Sequence, residues 1–141
     1  MMKLSCAGIV HFPDGIMLVR DAGKEQWRLP EREITDLEDV VMCIRRCVLM
    51  QTGYRTAKLR FYKIQTHARS HKRGAFIRFI FGCEIGDEPL QAAQLETKRF
   101  TPDELVKLAD RGLFNEPLLL DLVLKYRQTL AHVAPSSPLP L

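Results

Sequence analysis

The chain has 141 residues, 46% of them hydrophobic and 27% charged, with a net charge of +4. That length fits one compact domain, large enough to bury a core without disulfides or a structural metal. The longest apolar runs, such as Leu118–Leu120 and Val40–Cys43, are far too short to span a bilayer, and a charge of this size is not by itself a nucleic-acid footprint.

Residues 3–11, KLSCAGIVH, predict a strand, and FPDG at 12–15 predicts a turn. Pro13 presets its own backbone angle and Asp14-Gly15 is a strong hairpin signal. The N-terminal stretch meets Asp14 too soon for a secretory leader, so a cytoplasmic location is the default expectation. IMLVR at 16–20 is the returning strand, DAGKEQ a loop, and WRLP a short extended piece ending at Pro30.

A helix is expected over 35–52, because Leu37, Val40, Val41, Ile44 and Val48 fall on one helical face. Thr35 and Glu38 have the spacing of a capping box, and Gly53 suits the left-handed position that ends a helix. Residues 57–68 and 75–85 read as strands joined by the basic loop RSHKRG, followed by a loop over 86–94 and a short strand at 95–100. Thr101, Pro102 and Glu104 mark the start of another helix that stops near Gly112. A third helix is expected over 116–132 with Asn115 as its cap. The Pro/Ser-rich end at 134–141 reads as a disordered tail, leaving a single domain over 1–133. The order β-β-(β)-α-β-β-β-α-α is mixed, which excludes a doubly wound sheet.

The cysteines are Cys6, Cys43, Cys47 and Cys83, with no C-x-x-C pair. Unbridged, mostly buried thiols are expected. A soft-metal site from Cys43 and Cys47 with His67 or His71 is the sharper reading of the same residues.

The stretch GIMLVRDAGKEQWRLP, then a glutamate, a helix with an arginine near its end, and TGY resembles the MutT-like Nudix hydrolases. The family box reads G-x5-E-x7-R-E-U-x-E-E-x-G-U, where U is bulky and apolar. Anchored on Gly53, it places Glu38 on the first box glutamate, Arg46 on the arginine, and Val48 and Tyr54 on apolar positions. W-x-L-P at 27–30 matches the segment that leads into Gly-Gly, and RFTPDEL at 99–105 is similar to the family's W-F-x-x-x-E-L. The resemblance covers residues 3–130. It implies a mixed α/β fold, an α/β/α sandwich around a mixed sheet, and hydrolysis of nucleoside-linked diphosphates with Mg²⁺ or Mn²⁺.

The box is degenerate. Glu31 and Arg32 stand where the family has Gly-Gly, and Cys47, Met50 and Gln51 stand where it has three glutamates. Those three positions share one helical face, so a face that would present three carboxylates presents a thiol, a thioether and an amide. Such donors suit Mg²⁺ poorly. The expectation is a protein that binds a nucleoside-diphosphate-type ligand with lost or impaired metal-dependent hydrolysis, holding no metal and no resident cofactor. One alternative is an active pyrophosphohydrolase using Mg²⁺ or Mn²⁺ held outside the box helix, with Glu96 the best external acid. Another is a scaffold that meets RNA or a protein through the basic loop at 69–73.

Ligand-binding candidates are Arg20, Trp27, Arg28, Arg32, Arg46, His71, Lys72 and Arg73. The plainer readings beside them are capping for Glu38, bracing of the box for Arg46 and core packing for Trp27. The expected partner is a nucleotide-like small molecule. Nucleic acid is the partner under the scaffold alternative, a homodimer is left open, and no membrane is involved.

Overall fold

A computed structural model describes residues 2–35, 39–67, 74–114, 120, 121 and 123. The elements are β1 (Lys3–Phe12), β2 (Gly15–Arg20), β3 (Glu31–Glu33), α1 (Val40–Thr52), β4 (Thr56–His67), β5 (Phe76–Ile85), β6 (Glu96–Phe100) and α2 (Pro102–Asp110). They form one six-stranded mixed sheet in the order β4-β5-β1-β2-β6, with β3 paired to β1. β1 and β5 run parallel, and the other pairs are antiparallel.

β1 is apolar on both faces because both faces are covered. Cys6 and Val10 pack with Cys43, Ile44, Cys47 and Val48 of α1. Ala7 and Ile9 point the other way, into a second core with Leu105 and Leu108 of α2, Phe114 and Val123. The result is the expected α/β/α sandwich.

The sheet splays at its centre. β1 pairs with β2 only beside their turn, from Val10↔Met17 to Phe12↔Gly15. Farther along the same edge, Ser5–Ala7 pair instead with β3. Residues 27–33 fill the wedge between the diverging strands. Arg28 bridges to Val19, and Gly8 N–H donates to Pro30 O at 2.9 Å.

This wedge corrects the expectation that the extended piece stops at Pro30. Glu31 and Arg32 pair regularly with Ala7 and Cys6, so side chains replace the family's Gly-Gly in ordinary β structure. The start of the box helix is also corrected. α1 begins at Val40, capped by Asp39, whose carboxylate accepts from Val41 N–H at 2.7 Å. The chain leaving β3 is still held extended by Ile34 N–H to Leu4 O at 2.8 Å, so a helix does not start at Thr35. Glu38 lies outside the described residues.

The other helix ends follow the expectation. Gly53 closes α1 at φ 83°, and Thr101 and Glu104 form the capping box of α2. Leu120, Asp121 and Val123 are helical, while Asn115, the rest of 116–132 and the 134–141 tail lie outside the described residues. Among the described residues no helix is long and apolar enough to cross a membrane.

The 86–95 loop closes over the end of α1. Leu90 N–H donates to Gly53 O at 2.8 Å and Gln94 N–H to Met50 O at 2.9 Å. A Cβ on Gly53 would overlap the Gln91 carbonyl oxygen as well as straining a positive φ. Gly53→Ala is therefore expected to destabilise the fold by about 1–3 kcal/mol, as read from urea unfolding midpoints.

Candidate functional site

The face of α1 that aligns with the family box carries three side chains within about one turn, Cys47, Met50 and Gln51. Cys47 belongs to the buried stripe of the helix and is 1% exposed. Burial, then the nearby Cys43, push its thiol up to about 12, so it is a neutral S–H at neutral pH. All four cysteines are buried, and the Cys6 thiol lies 3.2 Å from that of Cys43. Burial likewise pushes the Cys83 thiol up to about 12, and that of Cys6 rises through burial and its hydrogen bond to Cys43. Met50 is partly exposed and offers only a thioether.

Gln51 points at the wedge segment. Its Nε2 donates to Glu31 O at 2.9 Å, and its Oε1 accepts from Glu31 N–H at 3.3 Å. The side-chain amide thus pairs with a backbone residue much as a neighbouring strand would. Its Oε1 also accepts from Arg28 Nη1 at 3.3 Å. Arg28 is itself held by Asp21 through two bonds of 2.8 Å and donates to Leu29 O at 3.0 Å. The bond to Arg28 holds the Asp21 carboxyl below its ordinary range.

These donors do not fit the divalent metal that the family resemblance implies. The thiol is neutral and sealed in the core, the thioether is soft, and the amide oxygen already accepts two hydrogen bonds. Among the described residues no group of three or more His, Cys, Asp or Glu side chains gathers as a metal site. The soft-metal reading of Cys43 and Cys47 with His67 or His71 is not covered by this, since the His67 side chain and His71 lie outside what the structure describes.

Glu96 is engaged elsewhere. Its carboxylate forms a forked pair with Arg20, with contacts of 2.7–2.9 Å. The Arg20 guanidinium lies 4.5 Å over the Trp27 ring, which is buried and packs edge-on against Phe100 at 5.2 Å. The structure therefore places Trp27 in the core, with one face covered by Arg20. Arg46 lies on the exposed side of α1, and its neighbour Arg45 ties the helix to β4 by donating to Thr56 O at 2.9 Å. His71, Lys72 and Arg73, with the rest of the 69–73 loop, lie outside the described residues.

Beside β3 opens a cleft of about 390 Å³. Its cations are Lys3, Arg28 and Arg32, its carboxylates Glu31 and Glu33, with Ser5 and Phe76 between them. Arg78, 1% exposed, lies next to it, 3.4 Å from the Glu31 carboxylate and 4.9 Å from the Phe76 ring centre. It also donates to Gln65 Oε1 at 3.3 Å. Sequence reasoning missed Arg78, although a lone charge inside the apolar run AFIRFIF is a usable signal, since buried arginines are rare unless paired.

Two outcomes follow from this geometry. Gln51→Glu replaces the Nε2 donor with a carboxylate oxygen facing Glu31 O, and is expected to lower stability at neutral pH by about 1–3 kcal/mol in urea unfolding. The native protein is expected to show no fast-reacting thiol toward a disulfide reagent and four in denaturant. A fast native thiol would mean that the α1-side core is open.

No family model matches the sequence, and no curated protein matches it. Solved structures do. A NUDIX hydrolase from Nitrosomonas europaea matches with a TM-score of 0.74 at 18% identity, covering 92% of this chain and 90% of that one. The NUDIX domain of Shewanella oneidensis NrtR, solved with ADP ribose, matches at 0.70 and 15% identity, covering 92% and 89%. A MutT NUDIX hydrolase from Burkholderia pseudomallei matches at 0.60 and 16% identity, covering 74% and 86%. Such identities speak for architecture alone. The chain has the Nudix fold.

Proposed function

We propose that the protein binds a ligand of nucleoside-diphosphate type and does not hydrolyse it efficiently by a metal-dependent route. The observation that carries this reading is the two-point bond of Gln51 to Glu31. A box position that would supply a metal-binding carboxylate is instead a neutral amide committed to holding the chain. Hydrolysis of a diphosphate adds negative charge as the bond breaks, and bound metal ions ordinarily offset it. Without them the barrier rises by several kcal/mol, each ~1.4 kcal/mol being about tenfold in rate.

The ligand class is supported by the fold and by the ADP ribose bound to the Shewanella domain. The cleft beside β3, with cations and carboxylates together, is suited to a molecule carrying both phosphates and hydrogen-bonding groups. The hydrolase alternative requires Glu96 to release Arg20 before it can serve a metal.

The test pairs two measurements on the full chain. Phosphate release from a panel of nucleoside diphosphate derivatives is followed with Mg²⁺, with Mn²⁺ and with EDTA. Binding of the same compounds is followed by calorimetry. Saturable binding is expected with turnover below about 10⁻² s⁻¹, against roughly 10 s⁻¹ for a typical enzyme. Turnover near the typical value that EDTA stops and Glu96→Gln abolishes would establish the hydrolase alternative instead.

A further inference from the structure

We infer that β4 is a docking edge for an extended peptide whose residues alternate between acidic and apolar, added to the sheet as a further strand. This role is separate from nucleotide binding. A strand at the end of a sheet presents backbone N–H and C=O groups on its outer side, and a second chain can pair with them. β4 stands at one end of the order β4-β5-β1-β2-β6, and among the described residues its strand pairing is with β5.

The two ends of the sheet differ. β6 has 5 residues and β4 has 12. Edges are ordinarily kept short or charged, whereas β4 is long and carries its charge on one face. Pairing with β5 sorts its side chains, because residues opposite each other share a face. Leu59 lies opposite Cys83, Phe61 opposite Phe81 and Ile64 opposite Phe79, all on the α1 side. Arg60 lies opposite Gly82 and Lys63 opposite Ile80, on the other side. The irregularity between Phe61 and Lys63 takes up Tyr62, which packs on the α2-side core, so the alternation resumes on the same faces.

On the α1 side Leu59 is buried, but Phe61 is 40% and Ile64 48% exposed. Half-buried Ile77 and Phe79 and exposed Leu4 continue this apolar surface across β5 to β1. Contiguous exposed apolar surface of this kind marks an interaction site. On the other side, Lys58 lies opposite Glu84, whereas Arg60 and Lys63 lie opposite uncharged residues. These two rows specify the occupant. An added strand sets alternate residues beside Phe61 and Ile64 on one face and beside Arg60 and Lys63 on the other. Apolar side chains alternating with carboxylates suit both rows. A second copy of β4 would bring Arg60 and Lys63 against like charges, which is destabilising. An RNA strand would meet the cations and leave Ile64 and the backbone edge unmatched.

Fluorescence anisotropy of a labelled peptide of about eight residues, alternating glutamate and isoleucine, tests this on the full chain. Comparison peptides carry the same residues in two blocks, lysine in place of glutamate, or N-methyl groups on either the glutamate or the isoleucine amides. Polyuridine binding and sedimentation equilibrium of the protein alone are measured beside them. The variants are Ile64→Thr and the double variant Arg60→Glu with Lys63→Glu, and melting curves confirm that each is folded. The alternating peptide is expected to saturate at micromolar concentration, with affinity falling as salt rises. The block peptide is expected to bind about tenfold more weakly, and Ile64→Thr to weaken the alternating peptide about fivefold. The double variant is expected to lose the glutamate peptide by about tenfold and to gain the lysine peptide. Alternate amides of a strand point to opposite sides, so one methylation pattern is expected to abolish binding and the other to preserve it. Absence of saturable binding, equal binding of the block peptide, or equal effects of the two methylation patterns overturns the inference. Polyuridine binding through Arg60 and Lys63 without peptide binding assigns the edge to RNA, and self-association weakened by Ile64→Thr assigns it to a second copy. Either result overturns the inference as well.

Discussion

The amide of Gln51 is bonded at both ends to the backbone of Glu31, and the centre of the molecule is organised around that contact. β1 and β2 part company beyond Val10↔Met17, and a splayed sheet leaves backbone groups that need partners. Residues 27–33 supply them, bonding to Val19 on one side and to Gly8 and β1 on the other. The helix amide closes the third side. α1, the wedge segment and the sheet are thereby held as one unit, and the cleft beside β3 is its open edge.

An amide can do this because it carries a donor and an acceptor in the geometry of a peptide group. A carboxylate carries acceptors only when ionised. Position 51 therefore serves either a cation or the Glu31 backbone, and a single side chain does not do both. Cys47 follows the same logic from the other direction. Its thiol lies inside the α1-side core, where an ionised acid would carry a heavy desolvation cost. Two of the three departures in the box are thus built into packing and hydrogen bonding. The surface position Met50 is the most tolerant of the three.

Much of the fold was legible in the sequence because its signals are local. The Pro13–Gly15 turn, the capping box at Thr101 and the left-handed Gly53 each announce themselves within a few residues. The start of α1 was misplaced because Thr35 and Asp39 are both good caps. What chooses between them is a bond from Ile34 to Leu4, a partner invisible in local pattern. β3 was missed because Glu-Arg-Glu shows no apolar alternation and is held by its neighbours' backbone. At the site, the departures from the family box were readable from the sequence alone, but their use was not. Gln51 finds its partner 20 residues away and Arg20 finds Glu96 at a separation of 76. Such pairs exist only once the sheet is assembled.

The parallel pairing of β1 with β5 sets a condition on how the chain is made. Lys3 lies opposite Phe76 and His11 opposite Glu84, so the first strand occupies the middle of the sheet but has no partner on that edge until β5 exists. A ribosome adding roughly 5–20 residues per second needs several seconds to cover that interval. During that time an apolar strand, with the β1–β2 hairpin beside it, waits with one long edge open. The nascent chain is therefore most exposed to aggregation and to chaperone capture between the emergence of β1 and that of β5. Slowed translation over residues 13–75 would lengthen that window without altering a single contact of the finished fold.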